Sequence, residues 1–145
     1  MSSNALFLVY SCVAMVLLVA FIGPLLLRTR VAEMKAKRVH PQAVSTSRAM
    51  AERLEKTAPA DNFRNLFELP VLFYALVAVA LATRHVPTWL CVGAWGFVLL
   101  RYVHSAIHCT YNKVMHRLLV FLASFALLVV LWVALGVSLA QQGAA

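Results

Sequence analysis

Charge is what this sequence has least of. Only 12% of its 145 residues are Asp, Glu, Lys or Arg, 63% are apolar, and the mean hydropathy is +0.83. Soluble domains average about 45–50% apolar, so that class is excluded and the chain reads as an integral membrane protein. The length accommodates about four spans of ~20 residues plus connections, with no room for a separate soluble domain. A single domain covering residues 1–145 is therefore expected.

Cysteine is also scarce. Cys12, Cys91 and Cys109 are odd in number, lie in apolar contexts and lack a CxxC spacing. That argues against a disulfide framework and against a cysteine zinc site. Cys12 and Cys91 read as packing residues, whereas Cys109 adjoins polar neighbours. Five acidic residues are present, none in an ExxH or HExxH pattern, so no carboxylate–histidine metal set is encoded. No basic residue precedes the first apolar run, which is long enough to span, so that run reads as a retained anchor and not a cleaved signal. Internal repeats and low-complexity tracts are missing as well.

Against this scarcity stands a net charge of +8. The basic residues are not interleaved with aromatics, so no nucleic-acid partner is expected. Arg28, Arg30, Lys35, Lys37, Arg38, Arg48, Arg53 and Lys56 all fall between the first and second apolar runs. By the positive-inside rule loop 28–62 is cytoplasmic and the amino terminus outside, which suits an inner (plasma) membrane protein. Four spans follow, at about 5–27, 63–83, 88–111 and 117–140. Gly23-Pro24 is expected to kink the first. Pro41 and Pro59 act as breakers in the connection, where Ser45 or Ser47 caps a short helix reaching Lys56 and Glu52 pairs with Lys56. Asp61 or Asn62 caps the second span, and Arg84-His85-Val86-Pro87 turns the chain at the far side.

Two polar clusters interrupt the spans. A charge near the bilayer centre costs roughly 2.5–3.5 kcal/mol on insertion scales, so residues kept there point to function. On a continuous helix Asp61, Arg64, Asn65 and Glu68 share one arc of roughly 100°. Arg64 and Glu68, at i and i+4, can also simply neutralise each other. Pro70 frees a carbonyl near Leu66. In the third span Arg101, His104, Ser105, His108 and Asn112 form a second stripe, again within about 100°. His104 and His108 at i,i+4 are a conceivable haem or metal pair, but Arg101 beside them repels a cation, so the site assignment carries no metal. Arg28, Arg30, Arg64, Arg101 and Arg117 suit an anion, since guanidinium stays charged and binds carboxylate or phosphate bidentately. A lone Glu68 among them suits an ammonium, and the sum is a zwitterion with two carboxylates.

With four spans, Arg64-Asn65-x-x-Glu68-x-Pro70 opening the second, Arg101-x-x-His104 in the third and Arg117 at the fourth, the whole chain resembles the MAPEG family of membrane-associated proteins in eicosanoid and glutathione metabolism, in its bacterial-type form. The resemblance implies an all-α four-helix transmembrane bundle packed as a homotrimer, with glutathione as co-substrate between neighbours at the cytoplasmic side. It implies that Arg64, Asn65 and Glu68 hold the tripeptide, that Arg28 meets a carboxylate, and that Arg101 and His104 complete the cradle. Arg117 then lies by the thiol, as the catalytic residue, lowering its pKa from about 8.5. His108, grouped with these binding residues on the second stripe, stands where relatives with prostaglandin or leukotriene synthase activity often carry tyrosine. Leu118 stands where some carry serine, and both point away from those activities. The resulting expectation is a glutathione transferase or peroxidase acting on lipophilic electrophiles from the bilayer. The alternatives are a non-enzymatic lipid or amphiphile binder on the same scaffold and a haem or metal protein using His104 and His108.

Overall fold

The first apolar run forms one helix, α1 (Ser3–Ala36), capped by the Ser2 hydroxyl, which accepts from the Ala5 amide at 3.2 Å. The computed structural model describes residues 2–55 and 57–143. At 1.5 Å per residue α1 is about 51 Å long, well beyond the ~30 Å hydrocarbon layer. The helix does not end where the expected span does, at about 27: it runs unbroken past Pro24 and carries its basic end into the polar connection. Ala5, Leu8, Ser11, Met15, Leu18 and Ile22 are buried at three- and four-residue intervals, while Phe7, Val13, Leu17 and Phe21 between them are exposed. One face packs on protein and the other is apolar enough for lipid.

The connection folds back on the end of α1. Glu33 is buried, pairs with Lys37 at 3.2 Å and accepts the Glu55 amide at 2.7 Å, while Lys37 reaches the Glu55 carboxylate at 2.8 Å. The hydrogen bond that Lys37 donates to Glu55 raises its ammonium above the ordinary pKa. A 3-10 turn, Pro41–Val44, leads to α2 (Ser47–Arg53). The cap of α2 is Thr46, accepting from Ala49 at 3.2 Å, and not Ser45 or Ser47. Glu52 pairs with Arg48 at 3.0 Å; the expected Glu52–Lys56 pair involves a residue outside the described ones.

The second span departs most from expectation. It starts at Ala58, with Pro59 in the first turn of a helix and neither Asp61 nor Asn62 as its cap, and it is two helices, α3 (Ala58–Asn65) and α4 (Leu69–Ala82). Pro70 has no amide to donate and favours a first-turn position. Glu68 leaves helical geometry at φ −97, ψ −92. Across the break the amides of Phe67, Glu68 and Val71 turn to carbonyls three residues back, at 2.9, 3.5 and 3.2 Å. Arg84 then ends α4 in the left-handed region, φ 56, and the His85 amide closes on the Ala80 carbonyl at 3.0 Å.

Helix α5 (Thr88–Cys109) lies at the centre, packed on α1, α3 and most extensively on α6 (Val114–Gly143). Phe97 of α5 stacks on Phe73 of α4, with centroids 4.7 Å apart. At Gly93 an added Cβ would collide with the Leu131 side chain, so glycine lets α5 and α6 approach. Among the described residues four helical segments are long and apolar enough to cross a membrane: Ser3–Ala36, Ala58–Ala82, Thr88–Cys109 and Val114–Gly143. The chain is an all-α four-span membrane protein, as its composition requires.

Candidate functional site

The break in the second span exposes backbone that a lipid environment cannot satisfy. Protein satisfies it here. Arg101 Nη2 donates to the Asn65 carbonyl at 3.1 Å, so the freed acceptor that is engaged belongs to Asn65, one residue before the expected Leu66. The same break removes the i,i+4 geometry between Arg64 and Glu68. Among the described residues no ion pair joins them, and Glu68 leaves the common arc expected of a continuous helix. The neutralising pair is therefore not what explains these two charges.

The α5 stripe is one face, as its periodicity indicates. Arg101, His104, Ser105 and His108 are 0%, 2%, 2% and 1% exposed. Asn112 lies beyond the helix end, which comes at Cys109 and not at Tyr111, but with φ 45 it turns back toward α6. There Arg117 Nη1 donates to Asn112 Oδ1 at 3.0 Å and to His108 Nε2 at 3.1 Å. His104 Nδ1 donates to the Arg117 carbonyl at 3.2 Å, and its ring sits near Phe121. Arg101 Nε and Nη1, His104 Nε2 and His108 Nδ1 are buried without a hydrogen-bond partner among the described residues. Glu68 is close enough to attract Arg101 electrostatically without forming an ion pair with it.

These groups surround a cleft of about 250 Å³ lined by Asn65, Glu68, His104, Val114, Arg117, Leu118 and Phe121. Four of the expected site residues therefore line one cleft, while Arg101 and His108 lie behind it. Arg64 is exposed, and so is Arg28 on α1; neither side chain makes a hydrogen bond or ion pair with the described residues. Neither lines the cleft. A pocket for a drug-sized ligand runs about 300–1,000 Å³, so the cleft holds part of such a molecule.

Behind the stripe, Asn62 joins α3 to α5. It is fully buried, accepts from the Ser105 hydroxyl at 3.2 Å and donates to Cys109 Sγ at 3.4 Å. The sequence pattern makes Asn62 a candidate helix cap, and no local signal points to this contact with α5. Arg30, one of the arginines that suit an anion, has its Nε buried without a partner among the described residues. A larger groove, about 580 Å³ and almost wholly apolar, lies between α1 and α5 and is lined by Leu18, Phe21, Ile22, Tyr102, Ala106 and Cys109 among others. Among the described residues no three His, Cys, Asp or Glu side chains gather as metal ligands. His104 and His108 each already hold Arg117 through one ring nitrogen.

The family model that matches this chain is that of the MAPEG family, over residues 8–137. No curated protein and no solved structure matches it.

Proposed function

From a chain that belongs to the MAPEG family, whose members are generally associated with glutathione, we propose that this membrane protein binds glutathione at the α3–α4 break and uses it against lipophilic electrophiles. The observation that carries the reading is the cleft itself: Glu68, the Asn65 amide and the Arg117 guanidinium converge where the second span is interrupted. Discontinuous membrane helices present backbone and charged groups to polar ligands in this way. Glu68 suits the ligand's ammonium, and Asn65 and Arg64 its peptide and carboxylate groups. Arg101, fully buried and bonded to the Asn65 carbonyl, acts by holding the break and by supplying positive charge behind it.

Glutathione is too extended for this cleft alone. Arg28 and Arg64, exposed and unpartnered, fit a homotrimer in which a neighbouring copy completes the site at the cytoplasmic side, with the amino terminus outside. Arg117 then faces the sulfur. A cation there favours thiolate over thiol, and the thiolate attacks an electrophile entering from the bilayer, whose leaving group departs as the carbon–sulfur bond forms. With a hydroperoxide, the thiolate takes the terminal oxygen instead and the alcohol leaves.

Equilibrium binding of glutathione to the purified protein tests the reading. Saturable binding at millimolar concentration or tighter, weakened at least about tenfold by Arg64→Ala, is expected; no binding at millimolar glutathione would sink it. The apolar α1–α5 groove favours one second reading, a non-enzymatic amphiphile binder. Glutathione binding without conjugation of a model aryl halide or reduction of a lipid hydroperoxide would select it.

A further inference from the structure

Arg117 is held both by its backbone and by its side chain, and the chemistry of each hydrogen bond fixes who donates. A carbonyl oxygen only accepts, so His104, bonded to the Arg117 carbonyl at 3.2 Å, carries its hydrogen on Nδ1. A guanidinium only donates. Arg117 Nη1 lies 3.1 Å from His108 Nε2 and 3.0 Å from Asn112 Oδ1, so His108 Nε2 presents its lone pair and the ring hydrogen is on Nδ1. Nη1 has two hydrogens, and these two acceptors use both. Among the described residues the Nε–Nη2 edge has no partner; it is the parallel pair of donors that grips an anion bidentately.

Both acceptors hold Arg117 from outside the cleft wall. His108 is 1% exposed, and neither it nor Asn112 lines the cleft that Arg117 lines. Asn112 reaches Arg117 only because its backbone takes a left-handed turn, φ 45, a conformation asparagine tolerates better than most residues. We propose that His108 and Asn112 are positioning residues for Arg117, fixing its guanidinium so that the Nε–Nη2 edge meets the sulfur anion, and that protonation of His108 releases the hold. This rests on the reading of Arg117 as the thiolate's partner.

The groups facing His108 decide how the release works. Arg101 and His104 lie on its own helix, Arg117 on α6 and Asp61 on α3. A second proton on the ring turns Nε2 into a donor aimed at the donor Nη1, and two cations then meet at hydrogen-bond distance. Asp61 only partly offsets the two arginines. Loss of the contact leaves Nη1 with Asn112 alone, and the guanidinium is free to rotate.

The test uses the full-length protein in nanodiscs, glutathione and a model aryl halide. His108→Leu should lower kcat at least about tenfold and leave KM for glutathione within about threefold, the pattern of an interaction used in the transition state. His108→Gln offers an amide oxygen to the same Nη1 without titrating; it should recover most of kcat and erase the acid limb of the kcat–pH profile. An unchanged kcat in His108→Leu, a loss confined to KM, or an acid limb that persists in His108→Gln would overturn the proposal. The ring-nitrogen NMR signals of His108 give a reading that needs no glutathione. An Nδ1–H tautomer that shifts in Arg117→Met supports the hold even if glutathione turnover is nil, in which case only the thiolate reading fails; an Nε2–H tautomer overturns the hold itself.

Discussion

The two ends of the bundle treat polar side chains in opposite ways. At the α4–α5 turn they close on one another: Asn4 donates to the Val86 carbonyl at 3.1 Å and to Thr88 Oγ1 at 3.3 Å, and His85 meets Ser138 at 2.7 Å and Gln142 at 2.8 Å. At the end that holds the α3–α4 break and the α5–α6 turn, Arg101, His104 and His108 are more deeply buried, yet each keeps a ring or guanidinium nitrogen without a partner. Polar interhelical contacts in membranes average well under about 1 kcal/mol, so the first end behaves as a set of modest clasps. The second bears the cost of burying charge, about several kcal/mol per ion before compensation, with compensation left incomplete. Polarity that is fully satisfied is architecture; polarity buried and incompletely satisfied beside a cleft marks the working end.

Several substitutions would break or sharpen that contrast. Arg117→Ala should cost the most, about 10²–10³ in kcat by analogy with loss of a preorganised anion-stabilising donor; conjugation of an aryl halide at saturating glutathione measures it. Arg101→Met removes a charge-assisted hydrogen bond worth about 1.5–3 kcal/mol to the Asn65 carbonyl, which should weaken glutathione about tenfold. Because a buried, incompletely compensated cation disappears, thermal stability should hold or rise. A large fall in Tm with unchanged binding would reverse the assignment of this end. Gly93→Val, away from both ends, should destabilise by about 1–3 kcal/mol by forcing Leu131 aside, with glutathione affinity per folded molecule unchanged. His85→Ala should be the mildest, about 1 kcal/mol or less of stability and no change in binding; any loss of glutathione affinity would show that the α4–α5 end is more than a clasp.

Hydropathy alone made the four spans legible, because lipid demands long apolar helices whatever the details of packing. The α5 stripe was legible too, since Arg101, His104 and His108 recur at helical spacing and Arg117 follows at the next span. The break at 66–68 was not. Pro70 is visible in the sequence, but the departure from helical geometry is at Glu68, and it is sustained by Arg101, thirty-odd residues away in the chain. For that reason Arg64 and Glu68 do not neutralise each other, the alternative their i,i+4 spacing offers, and Arg101 acts from behind the cleft in place of lining it. Asn62 was hidden by its resemblance to a helix cap, and α1 outran its span because arginines, good helix formers, do not end a helix. Local pattern recovers elements; the site depends on contacts between α3, α5 and α6 that pattern does not contain.

Glu68 is the most direct test, the acidic side chain of a cleft whose other polar lining residues are Asn65, His104 and Arg117. Thermal unfolding of the wild-type protein and of Glu68→Gln, followed across a glutathione titration, measures its role, since a ligand that binds only the folded state raises Tm with concentration. A saturable rise is predicted for the wild type, with Glu68→Gln needing at least about tenfold more glutathione for the same shift. Superimposable curves for the two proteins, or no rise in the wild type at millimolar glutathione, would contradict it.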